Sequence, residues 1–196
     1  MVLLDTVGPV PPVQKAPSSV FGGNAAMNVQ DFTSLNCKRG SQFEASTYIA
    51  AVAAGASVDF IVEVGSLPVL IKGRRVEFNE SGVRLEVYKN PTYTGGTVVP
   101  YYNLNKWEPN TGLSVLRSGM SISDVGTKCS ADRNYIGGTV QGQSYVVTHG
   151  DEAPGLEVVL EPGARYLFRT VNTHDDVCRY SSYSTWYEGL LDIQTG

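Results

Sequence analysis

Hydrophobic and polar residues alternate along most of this chain with a period of two, the repeat of a strand that buries one face. The cleanest instance is Val58, Phe60, Val62 and Val64, interleaved with Asp59, Ile61 and Glu63. Val83, Leu85 and Val87 repeat it, with Arg84 and Glu86 between them. Residues 69–78 read as a further strand, entered past Pro68 after a turn at Gly65-Ser66. Residues 43–54 are ambiguous, because alanine favours helix while Thr47-Tyr48-Ile49 favours strand. Gly55 and the next alternating run follow at hairpin distance, which decides for strand.

Downstream, a loop is bracketed by Asn90-Pro91 and Gly95-Gly96, and strands are predicted over 97–102, 114–117, 120–125, 135–139, 144–148, 156–160, 164–171 and 185–193. Glu161-Pro162-Gly163 separates two of them, and proline followed by glycine suits a type II turn. About ten short strands at even spacing, with no amphipathic helix of normal length, predict an all-β fold. The expected body is an antiparallel β-sandwich of jelly-roll kind over residues 41–196. No repeat of solenoid length is present.

Residues 1–40 have a different texture. Pro9, Pro11, Pro12 and Pro17 lie close together and Gly22-Gly23 follows. Proline fixes φ and removes an amide donor, so this stretch cannot pair along both edges. Yet Val2, Leu3, Leu4, Val10, Val13, Val20 and Phe21 are too apolar for a purely solvating tail. An extended arm that lies on a partner is expected, with Val10, Pro11, Pro12, Val13 and Phe21 as its contacts. Pre-stiffened segments lose less entropy on docking.

Composition sharpens this picture in three places. Charged residues make up 17% of the chain, below the usual quarter, which leaves neutral surface for neighbouring subunits to cover. The net charge of −4 argues against phosphate-driven nucleic-acid binding. The cluster Lys72, Arg74, Arg75 is the local exception and reads as a solvated strand edge or turn. Cys37, Cys129 and Cys178 are widely spaced and form no C-x-x-C pair, so free thiols are expected rather than a zinc site. Met1-Val2-Leu3-Leu4 runs into Asp5 without the features of a signal peptide, and no apolar run approaches the ~18 residues of a membrane span. No membrane partner is therefore expected.

Candidate chemistry is sparse. Thr148-His149-Gly150-Asp151 and Thr173-His174-Asp175-Asp176 could bring imidazole and carboxylate together on a metal, or beside Cys178 as a nucleophilic set. Both segments follow strands and carry turn-forming residues, so polar loops are the better reading. No nucleophile elbow, phosphate loop or dinucleotide glycine pattern occurs. Gly137-Gly138 and Gly95-Gly96 read as turns or bulges, and Glu152, Glu157 and Glu161 are scattered. The expectation is no catalytic residue, no cofactor and no metal. Aromatic side chains at Tyr88, Tyr93, Tyr101, Tyr102, Trp107, Tyr180, Tyr183, Trp186 and Tyr187 suit a core or subunit interface first, and sugar stacking second.

Four segments taken together carry a resemblance: Val62-Glu63-Val64-Gly65, Arg84-Leu85-Glu86-Val87-Tyr88, Tyr101-Tyr102-Asn103-Leu104-Asn105 and Trp186-Tyr187-Glu188. Over roughly residues 57–193 the chain resembles the head decoration, or cement, proteins of tailed bacteriophages. The resemblance implies a jelly-roll or related sandwich that is homo-oligomeric, for instance a trimer, and that binds the major capsid protein on the outside of the shell. The virion would be its location, after synthesis in the host cytoplasm. No catalytic residue comes with the resemblance. Trp186, Tyr187 and Tyr102 are expected to pack the body, with Glu188 closing the family motif and Asn103 and Asn105 capping the adjoining loop. The long proline-rich arm departs from the family pattern. A weaker likeness, of Leu160 to Tyr166 to the tyrosine corner of fibronectin-type domains, makes an immunoglobulin- or fibronectin-like sandwich the alternative topology. A carbohydrate-binding receptor-recognition module is the alternative function.

Overall fold

A computed structural model describes residues 37–78, 82–131, 133–135, 145–149 and 158–189, together with the pairs 14–15 and 27–28. The expected arm contacts Val10, Pro11, Pro12, Val13 and Phe21 lie outside the described residues. The strands in chain order are β1 (Gln14–Lys15), β2 (Met27–Asn28), β3 (Gln42–Val52), β4 (Ser57–Glu63), β5 (Val69–Phe78), β6 (Val83–Lys89), β7 (Thr92–Val98) and β8 (Tyr102–Asn103). They continue with β9 (Val115–Asp124), β10 (Thr127–Lys128), β11 (Arg133–Tyr135), β12 (Tyr145–His149), β13 (Val158–Leu160), β14 (Arg165–Asn172) and β15 (Cys178–Glu188).

Two antiparallel sheets pack face to face as a sandwich, as the alternation predicts. The first runs β10-β6-β14-β4-β9-β7, with β11 also on β6; the second runs β12-β5-β15-β3-β8, with β13 also on β5. Among the described residues, β1 and β2 form a separate two-stranded ladder. The alternating positions meet between the sheets. Val58, Phe60, Val83, Leu85, Tyr166 and Phe168 from the first pack on Phe43, Val69, Val76, Phe78, Tyr180 and Trp186 from the second. On the opposite face of the first sheet, Ile61 and its cross-strand neighbour Leu167 are also fully buried. Arg117 and Tyr88 flank them in the same row, and the long stems of such residues can cover apolar surface.

Residues 43–54 are a strand, but not a hairpin partner of the next run. β3 and β4 belong to different sheets, so the chain arches from one layer to the other. Asn172 explains why. Its side chain donates to the carbonyls of Val52 (2.9 Å), Ala53 (3.2 Å) and Asp176 (2.8 Å), and its backbone bonds Gly55 and Ala56. The connecting backbone closes a turn, with the Ala56 amide on the Ala53 carbonyl at 3.0 Å, and is tied to the end of β14. The Glu161-Pro162-Gly163 turn also joins the two sheets. Its closing bond, from the Ala164 amide to the Glu161 carbonyl, is 3.3 Å, and the Tyr166 hydroxyl accepts the Glu161 amide at 3.2 Å.

Three local readings change. Residues 92–98 form the edge strand β7 instead of a loop, with Gly95 and Gly96 inside it at positive φ. The two strands expected over 114–125 are one, because Gly119 breaks the periodicity at φ 69° without ending the pairing. Lys72, Arg74 and Arg75 lie in β5, an internal strand paired with β15 on one side and with β12 and β13 on the other. A register shift opposite Thr185/Trp186 re-aims this segment. Arg75 pairs outward with Glu77 at 2.6 Å. Arg74 instead donates to Thr170 (3.3 Å) and Tyr180 (3.4 Å), and lies 5.4 Å from the Phe168 ring centroid.

Candidate functional site

β15 fixes one end of the sandwich. Trp186 stacks on Phe43 at 6.0 Å and meets Tyr101 edge-on at 5.3 Å, while Phe43 and Tyr101 are T-shaped at 5.6 Å. Trp186 and Tyr187 are buried, as expected of body packing, but Tyr102 is 62% exposed. Tyr101 takes the interior place instead. Alternation sends neighbours in a strand to opposite faces, and two adjacent tyrosines do not reveal which one points inward.

Glu188 is the residue whose part the sequence hid. It is buried, and its carboxylate accepts the amides of Leu113 (2.6 Å) and Ser114 (3.2 Å). The Tyr101 hydroxyl donates to the Ser114 carbonyl at 2.8 Å. Burial pushes the Tyr101 phenol up, and the nearby Glu188 charge adds to the shift. Gly65 completes the contact, because its amide donates to Ser114 Oγ at 3.3 Å. A Cβ at Gly65 would lie 2.6 Å from the Leu113 carbonyl oxygen, so the approach demands glycine. Two of the resembling segments, Val62–Gly65 and Trp186–Glu188, therefore meet at one structural tie.

Beside it, β8 and the segment after it clasp the backbone of Lys38–Gly40. Asn105 donates to the Lys38 carbonyl (2.9 Å), Asn110 to that of Arg39 (2.7 Å), and Asn103 to that of Gly40 (2.6 Å). Three consecutive carbonyls are thus held by three asparagine amides. The same side chains brace their own loop. Asn103 Oδ1 accepts the Asn105 amide at 2.8 Å, and Asn105 Oδ1 accepts those of Trp107 and Glu108 at 3.0 Å. Asn103 and Asn105 therefore cap the loop as read from sequence, and they also bind the arm's exit. Gly40, at φ 68°, brings the two segments close; a Cβ there would meet the Glu108 carbonyl oxygen at 2.7 Å.

This clasp presents an aromatic surface. Trp107 is 89% exposed on a backbone that Asn105 fixes, Leu113 is half exposed, and the Lys106 ammonium lies 5.9 Å from the Tyr102 ring centroid. An exposed tryptophan on a fixed backbone is a feature of binding surfaces more than of solvated loops.

The other candidates have local duties. His174 Nδ1 accepts the Asp176 amide at 3.1 Å, and the His174 amide donates to Asn172 Oδ1 at 3.0 Å, so this imidazole braces a turn. His149 ends β12, paired with Arg74. Cys37, Cys129 and Cys178 form no disulfide. On the outer face of the first sheet, Glu63 receives the Tyr93 hydroxyl and the Arg117 guanidinium. Burial works to raise the Glu63 carboxyl, but these two donors and the Arg117 charge outweigh it and hold the group below its ordinary value. The chain matches no protein-family model, no curated protein and no solved structure.

Proposed function

We propose that this chain is a virion structural protein, a cement that binds the outside of an assembled bacteriophage capsid. The arm grips the major capsid protein and the β-body self-associates. The observation that carries the reading is the triple asparagine clasp on Lys38, Arg39 and Gly40 beside the exposed Trp107. It holds Lys38–Gly40, from which the proposed arm would start, beside the exposed Trp107. Arm and surface together form two linked contacts, and linkage raises the strength of the pair far above either alone. A protein that binds only the closed shell shifts the equilibrium away from disassembly by its binding free energy, with no chemistry needed. The resemblance in the four sequence segments supports the same reading.

The runner-up, a sugar-binding receptor-recognition module, rests on the same exposed Trp107 and Tyr102. The amides that would hold sugar hydroxyls beside them, those of Asn103, Asn105 and Asn110, are already engaged with backbone carbonyls. That favours the cement.

Co-sedimentation with empty shells tests the proposal. Deleting residues 1–20, or replacing Trp107 by alanine, should leave a folded body that binds shells at least tenfold more weakly. Undiminished binding by both variants would overturn it, and saturable binding on a glycan array would move the assignment to the runner-up.

A further inference from the structure

Among the described residues, the second sheet has an open edge. β15 pairs with β3 along its whole length, but on the other side β8 reaches only Phe43 and Glu44 among the described residues. The direction of the free groups follows from the bonds at the start of the strand. The Ser41 carbonyl accepts the Glu188 amide on the β15 side, and the Gln42 carbonyl accepts the Leu104 amide on the β8 side. Alternation then turns the N–H and C=O of Ser46 and Tyr48 toward the open side. Residues 45–54 contain no charge and no proline, and so lack the usual devices that keep an edge from pairing.

The first sheet does not stop there. It continues past β4 by β9 and β7, a shelf about 10 Å wide at the usual strand spacing. A groove lined by Ile49, Ala51, Val52, Val58 and Met120 lies between the open edge and this shelf. The inner side chains nearby are small, with Ala45, Thr47, Ser182 and Ser184 bordering an interior cavity of about 70 Å³. An added strand would continue the second sheet and cover the shelf. A second sandwich brought edge to edge would collide with it.

We infer that this edge accepts an extended strand from a neighbouring copy of the chain, namely residues 18–36 of that copy, whose Met27 and Asn28 would exchange their short ladder with Gln14 and Lys15 for the edge. The segment is proline-free and carries Asp31 as its one charge, which suits a neutral edge; Pro9, Pro11, Pro12 and Pro17 exclude the stretch before it. Pairing with Ala45–Val52 needs ~27 Å of strand, and residues 18–36 reach ~60 Å when extended. A chain's own arm leaves from the clasp at Lys38–Gly40, beside β8, where the edge is already occupied. Giving one arm and receiving another is a head-to-tail exchange, which closes into a ring when the rotation allows. The inference rests on the self-association in the proposed function and not on the shell. Arm exchange without shell binding would leave it standing and overturn the cement reading.

Two tagged forms of the full chain, both with Cys37→Ser and Cys129→Ser, make the test. One carries Ser46→Cys and the other Val29→Cys, and a short bis-maleimide joins them. The expected product is a cross-link between the two forms. Its yield should fall at least tenfold when the acceptor carries Tyr48→Pro, or when the donor carries Phe32→Pro, which leaves the body untouched. No cross-link between the two forms, or an undiminished yield with the Phe32→Pro donor, overturns the inference.

Discussion

Glu188 in the second sheet accepts the backbone amide of Leu113 at 2.6 Å, just ahead of the strand that carries Ser114's neighbours into the first sheet. One carboxylate thus bridges the two layers at the end where the arm joins.

Removing that carboxylate leaves the buried Ser114 amide and the part-buried Leu113 amide without their acceptor. Glu188→Ala should cost about 2–3 kcal/mol, the usual loss for a charged acceptor of buried donors. Glu188→Gln, with one carbonyl oxygen in place of two, should cost less. Urea titrations check this: the midpoint should fall in that order while the slope stays constant. Equal midpoints for both variants and the parent would show that the tie contributes nothing.

The clasp predicts a protease phenotype. Lys38 and Arg39 are trypsin sites whose carbonyls are held by Asn105 and Asn110, with Asn103 on Gly40 next to them. Asn103→Ala should speed cleavage after Lys38 and Arg39 several-fold at native conditions. Global stability should fall by only about 1–2 kcal/mol, because the loss is confined to side-chain hydrogen bonds near the surface. The cleavage time course, read by mass spectrometry, decides.

Glu63 gives a pH dependence with a definite sign. Its folded carboxyl lies below the reference value of 4.5, despite burial, because Tyr93 and Arg117 bond the charged form. A depressed carboxyl contributes stability that is fully present above pH 4.5 and is lost as pH falls through the folded value. Glu63→Gln should therefore lose stability near neutrality and show a flatter decline between pH 5 and pH 3 than the parent. Parallel curves would exclude the carboxylate as the cause.

Asp59 and Arg169 form a bidentate pair across neighbouring strands, with bonds of 2.9 and 2.8 Å. Bonding to Asp59 raises the Arg169 guanidinium above its usual value against the opposing effect of burial. A double-mutant cycle with Asp59→Asn and Arg169→Lys should give a coupling of about 1 kcal/mol, since lysine keeps the charge but not the fork.

The layered all-β architecture was legible because Val58 to Val64 and Val83 to Val87 alternate cleanly, and alternation is a local property. The strand pairing was not. Nothing in the residues around Gly55 says that their backbone will bond Asn172, more than a hundred positions away. The Gly119 break in β9 misled for the opposite reason, since a glycine at positive φ ends the periodicity without ending the strand. At the candidate site, Asn103 and Asn105 were recognisable as loop-capping residues. Their hold on Lys38 and Gly40 was hidden, because an amide's second partner leaves no local trace. Glu188 was legible only as the close of the Trp-Tyr-Glu motif, and nothing local says that its side chain lies inside.

Outside the small ladder of β1 and β2, no two strands adjacent in the chain are neighbours in a sheet, and the centres of the two layers are the last strands described, β14 and β15. During synthesis, therefore, the first layer cannot close until β14 has left the ribosome, nor the second until β15 has. A polypeptide that stops before Arg165 would hold β4, β9 and β7 paired, with no strand to join β6 to them and none between β5 and β3. Folding of such non-local topologies is slow, in the range of about milliseconds to seconds. The order of strands thus acts as a length check, under which a prematurely ended chain stays open to proteases.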